Sequence, residues 1–126
     1  MQRIFFVGVH NKPNLLPLDS STVSGKRVDA IIKQVDGYCF KTNLCDVNYW
    51  PKDFAEIMAF NIQWCKKYQP TGEDIVVLLG KWVQKHFVLT NAKIIKIPHP
   101  ASCYGKKAVD NYVQSSIKTI AECQPN

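Results

Sequence analysis

Two polar stretches follow apolar runs and carry the residues most able to do chemistry. "KIPHPASCYGKK" (Lys96–Lys107) sets His99 between two prolines, then adds Ser102, Tyr104, Lys106 and Lys107. An imidazole can donate or accept a proton near neutral pH. Its proline neighbours restrict the backbone that carries it. "FVGVHNKPN" (Phe6–Asn14) contributes Gly8, Val9, His10 and Asn11. A third stretch, "KTNLC" (Lys41–Cys45), carries an amide, Asn43, which offers both a donor and an acceptor to a polar ring edge. Each residue also has a plainer use: Asn and Pro make turns, and a loop histidine needs no ligand.

These groups are useful only if the fold brings them together. Arg3–Val9, Tyr38–Leu44, Asp74–Gly80 and Ala92–Ile97 read as four strands, and "DIVVLLG" holds a continuous apolar run with no polar alternation, as in a sheet covered on both faces. Between them, Val28, Ile31, Ile32 and Val35 mark a helix over Lys26–Val35. Phe54, Ile57, Met58, Ile62 and Cys65 mark another over Asp53–Lys67. "KWVQKHF" predicts a short helix, with His86 a structural or surface residue, and Val109, Tyr112, Val113, Ser116, Ile120 and Cys123 mark the inner face of a last one. Alternation of this kind predicts an α/β protein of one domain over 1–126, a three-layer α/β/α sandwich around a four-stranded parallel sheet. In such sheets ligands bind beyond the carboxyl ends of the strands, where "GVHNKPN", "KTNLCDVNYW" and "PHPASCYG" all fall. The third strand's end, at Gly80, reads as structural, a close packing of strand on helix.

Composition narrows the class. At 46% apolar and 21% charged, the chain is globular rather than disordered. Its longest apolar runs are too short to span a bilayer, and the start lacks the pattern of a secretory signal. A cytoplasmic monomer without membrane attachment is the expectation. Five cysteines without a CxxC pair argue for free thiols rather than a disulfide framework or zinc ribbon, and no metal or organic cofactor is expected. A net charge of +6 suits a polyanion.

The order of these segments resembles the uracil-DNA glycosylase superfamily. "GVHNKP" is similar to that family's loop running from Gly to Pro after the first strand, with two more residues between them than the tight form. "PLDSSTVSGKRVDAII" resembles the segment that leads into its first helix, "KTNLC" the strand end whose Asn reads the base, "DIVVLLGKWV" its strand–Leu-Gly–helix segment, and "HPAS" its His-Pro-Ser motif. The resemblance spans nearly the whole chain. It implies a glycosylase-like fold and hydrolysis of an N-glycosidic bond, releasing uracil or a related damaged base from DNA.

The resemblance also implies roles. His99 would donate to the base carbonyl as charge develops there. Asn11 would position water, with His10 its rival and Asp19 a third candidate that could equally cap the helix. Asn43, Leu18, Gly8 and Val9 would form the base pocket, Leu18 standing where the family commonly has a stacking aromatic. Ser24 and Lys26 at the first helix, and Ser102, Tyr104, Lys106 and Lys107 after His99, would contact DNA, with Tyr104 as a wedge. Tyr49 and Trp50 could stack on a base or serve as loop anchors. The extra residues in "GVHNKP" and Leu18 in place of an aromatic support an alternative: a nucleotide- or DNA-binding protein that keeps the pocket without the reaction.

Overall fold

The computed structural model describes residues 2–88 and 91–125. Element order is β1 (Arg3–His10), α1 (Val23–Ile32), β2 (Tyr38–Cys45), α2 (Phe54–Tyr68), β3 (Ile75–Leu79), α3 (Lys81–His86), β4 (Lys93–Ile97) and α4 (Lys106–Cys123), with a 3-10 turn at Pro100–Ser102. The fold is α/β. Among the described residues, four strands form one all-parallel sheet in the order β2-β1-β3-β4.

Both faces of the sheet are covered. Ile4, Phe6, Ile75, Val77, Ile95 and Ile97 pack on one side with Val28 and Ile31 of α1 and Tyr112, Val113 and Ile120 of α4. Phe5, Val7, Val76 and Leu78 face the other side, against Phe60 and Trp64 of α2 and Val83 of α3. This arrangement is compatible with a three-layer sandwich. It is also what crossovers of one hand require: the chain moves one way across the sheet from β1 to β2, and the other way from β2 through β3 to β4. So α1 lies on the opposite face from α2 and α3. The apolar run Ile75–Leu79 is buried at every position because β3 is an interior strand.

The helix boundaries differ from the sequence reading in one informative place. Helix α1 begins at Val23, three residues before the expected start, because Thr22 caps it: its Oγ1 accepts from the Gly25 N–H at 2.9 Å. The helix ends at Ile32. Val35 lies past its end and still packs against the core. Asp19 is not the cap. It organises the loop ahead, accepting from the Ser21 N–H at 3.0 Å and Ser21 Oγ–H at 2.6 Å, and these bonds hold its carboxyl below the ordinary value.

Among the described residues, all five cysteines are free, no helix is long and apolar enough to cross a membrane, and no three His, Cys, Asp or Glu side chains cluster as a metal site.

Candidate functional site

The strand order reverses around β1, because β2 lies to one side of it and β3 to the other. At the carboxyl ends near that point opens a cleft of about 490 Å³, within the range of small-molecule sites. Its floor and walls include Gly8, Val9 and His10 from β1, Asn43 from β2, and His99 and Ala101 beyond β4. Leu18, Asp19 and Ser24 close it from the β1–α1 loop and the start of α1.

His99 is held in one protonation state by its own turn. The Ala101 N–H donates to its Nδ1 at 3.1 Å, so Nδ1 carries no proton and Nε2–H is the donor. The His99 carbonyl accepts from the Ser102 N–H and Oγ–H at 2.9 and 2.7 Å, which closes the 3-10 turn. The residue as a whole is exposed, yet its ring is crowded on one side. Burial, and secondarily the positive charge of Lys12, push the imidazole below its ordinary value of 6.5. At neutral pH it is an uncharged donor.

The crowding comes from Gly80. A Cβ there would stand 3.0 Å from the His99 Cβ and 3.3 Å from its Cδ2, and the Gly80 φ of +93° suits glycine alone. The strand end that reads as structural therefore acts on the site, as the surface against which the imidazole lies. Beneath it, Tyr112 Oη–H donates to the Pro98 carbonyl at 2.7 Å, and Arg27 donates to the carbonyls of Pro100 and Cys103 at 2.5 and 2.9 Å. Helices α4 and α1 thus fix the histidine turn from below.

Asn43 is oriented by a relay. Asn11 Nδ2 donates to the Asp46 carboxylate at 2.7 Å. A carboxylate at neutral pH can only accept, so Asn11 must turn its Oδ1 toward Asn43, whose Nδ2 donates to it at 2.7 Å. Asn43 Oδ1 then rests on Gly8, 2.6 Å from where a Cβ would stand. Only a glycine at position 8 admits this amide. Among the described residues no donor reaches that Oδ1, and no partner reaches His99 Nε2.

The remaining sequence candidates divide. Leu18 sits over Gly8, its Cδ2 3.4 Å from the same Cβ position, and reaches this place with a φ of +51°. That left-handed backbone is held by α1: a Cβ on Gly25 would lie 1.8 Å from the Asp19 carbonyl oxygen, so helix and loop touch backbone to backbone. His10 lines the cleft, but Asn11 does not. Asn11 borders a separate cavity of about 100 Å³ behind Asn43, with Asp46 and Trp64. Ser24 lines the cleft, whereas Lys26 lies in a groove between α1 and α4. Tyr104 is 85% exposed at the tip of its loop, and Lys106 pairs with Asp110 at 2.9 Å, one turn along α4. Tyr104, Ser102, Lys106 and Lys107 all lie outside the cleft wall.

Lys12, Leu15, Leu16, Thr22 and Val23 complete the lining and were not marked by residue type alone. Trp50 also lines it, edge-to-face with His10 at 4.7 Å. No protein-family model matches this sequence, and no curated protein matches it.

Proposed function

We propose that the chain is a small, divergent member of the uracil-DNA glycosylase superfamily, with that family's three-layer domain, and that its cleft takes a nucleobase. The reading carries with it excision of uracil or a related damaged base from DNA. One observation supports it above the rest: a neutral Nε2–H donor, His99, and an amide of fixed orientation, Asn43, line the same cleft at the strand ends.

In this reading Asn43 Oδ1 accepts from the ring N–H of the base, and its second Nδ2–H is free to donate to an adjacent carbonyl. As the glycosidic bond lengthens, the electron pair moves onto the base and its carbonyl oxygen gains charge. His99 Nε2–H donates to that oxygen; removing one such donor lowers rates by about 10²–10³. The imidazole is already uncharged, so it keeps its proton on Nε2 and its Nδ1 bond to Ala101. Water on the sugar face would be positioned by His10 or Asp19, which border the cleft.

The test is release of free uracil from single- and double-stranded oligonucleotides. The wild-type chain releases the base, and His99→Ala slows release about 10²-fold or more. No release from any uracil-containing or damaged oligonucleotide sinks the hydrolytic reading.

A second reading has its own support. Asn11, the family-like water-positioning candidate, spends both ends of its amide on Asn43 and Asp46. A pocket built this way holds a base without attacking its sugar. Nucleotide binding by calorimetry, with the ligand recovered intact and no base released, would establish this second reading.

A further inference from the structure

A line of aromatic rings runs out of the cleft along the surface. His10 meets Trp50 with ring centroids 4.7 Å apart, Trp50 meets Trp82 at 5.7 Å, and Trp82 meets His86 at 4.3 Å. Trp50 remains 53% exposed although neighbours hold it on two sides. A large ring that is both positioned and wet is a surface for another flat group.

A basic row accompanies the rings. On α3, Trp82 and His86 are four residues apart and share one face; Lys81 and Lys85 repeat the same spacing one position earlier. The helix therefore carries an aromatic row and a lysine row side by side. Both lysines are exposed, as are Lys12 at the cleft and Lys52, two residues after Trp50 in the chain. None of the four forms an ion pair among the described residues. The nearby acids are engaged: Glu56 accepts from Tyr49 Oη–H at 2.6 Å, and Asp53 accepts from the Ala55 N–H at 3.0 Å as the cap of α2.

We propose that this strip is a track for single-stranded DNA, along which nucleotides flanking the one in the cleft stack on Trp50 and Trp82 while Lys81 and Lys85 contact their phosphates. The chemistry matches: bases stack on any aromatic face, and lysines follow the backbone without reading sequence. A duplex presents its bases stacked on each other and offers nothing to the exposed ring of Trp50 or the half-buried ring of Trp82. The track rests on the reading of the cleft as a base pocket, because it extends from that pocket.

The experiment is fluorescence anisotropy of a labelled 12-mer oligothymidylate bound to the full chain over a series of salt concentrations. A hairpin duplex and an oligoribothymidylate of the same length are run beside it, and calorimetry with uridine monophosphate reports on the cleft alone. Wild type binds the DNA single strand more tightly than either comparison oligonucleotide. Lys81→Gln/Lys85→Gln, two exposed changes outside the cleft, lowers the slope of log K against log salt by about 1.4, since each phosphate contact on a single strand contributes about 0.7. Trp82→Ala weakens the single strand about 5- to 150-fold, the range for one lost stacking partner, and leaves the mononucleotide unchanged. An unchanged salt slope in the lysine variant, tighter binding of duplex or RNA, or mononucleotide binding with no oligonucleotide binding overturns the track. In the last case the base pocket stands. Oligonucleotide binding that responds to these variants, with no mononucleotide bound, instead overturns the base pocket and leaves the strip as a strand-binding surface.

Discussion

Replacing Gly8 by alanine tests whether the Asn43 amide is what the cleft uses. A Cβ at position 8 would lie 2.6 Å from Asn43 Oδ1. Carbon–oxygen contacts settle near about 3.3 Å, so the amide must retreat by about 0.7 Å. Its Nδ2 bond to Asn11, now 2.7 Å, would stretch toward about 3.4 Å, beyond hydrogen-bonding range. Losing that bond costs about 1 kcal/mol. Alanine returns about 0.5–1 kcal/mol, because it loses less backbone freedom than glycine in a strand, and the Gly8 φ is not positive. The two terms nearly cancel, so the melting temperature should move by no more than about 3 °C.

Binding should not cancel. A base facing a displaced amide loses a paired donor and acceptor, about 1–3 kcal/mol, or about 5- to 150-fold in Kd. Calorimetric titration with uridine monophosphate, alongside thermal denaturation, measures both effects. Asn43→Ala should weaken binding similarly, and the double variant should be no worse than either single one, since both act on the same amide. Wild-type affinity in Gly8→Ala, or losses that add in the double variant, would refute the reasoning.

Gly25→Ala should behave oppositely. Alanine improves an α-helix by about 1 kcal/mol, but here its Cβ would meet the Asp19 carbonyl oxygen at 1.8 Å, and backbone cannot step aside as a side chain does. Thermal denaturation should show a net loss of at least about 1–3 kcal/mol, with the β1–α1 loop released from the cleft. His99 should make stability pH-dependent: burial, then Lys12, keep its folded value below 6.5. As pH falls through 6.5 the unfolded chain takes up the proton first, so stability declines, levelling once the folded imidazole is also charged. Denaturant titrations across this range should show the decline in wild type and a flatter profile in His99→Gln.

Much of the frame is legible in the residues. Ile75–Leu79 reads as an interior strand because it has no polar alternation, and it is one. The inner face of α4 follows from spacing alone, with Tyr112, Val113, Ser116 and Ile120 buried as that spacing predicts. Thr22 illustrates a local miss. Its capping hydroxyl stands three residues before Gly25, and a start at Lys26, taken from apolar spacing, overlooks a polar signal available in "STVSG".

The site was legible only as a set of positions. Sequence by itself determined that His99 and Asn43 lie at strand ends, since strand ends follow from apolar runs and their breaks. It also determined that glycines stand at 8, 25 and 80. Tertiary structure decided what each does. Gly8 admits the Asn43 amide from β2, Gly25 admits the Asp19 backbone, and Gly80 backs the His99 ring. It turned Asn11 away from the cleft by giving its amide two partners more than thirty residues distant. It set Trp82, unmarked in "GKWVQKHF", between Trp50 and His86. The physical reason is common to all of these. Hydrophobic periodicity is a property of neighbours along the chain, whereas hydrogen-bond partners, close approaches and ring contacts depend on which strands the sheet sets side by side.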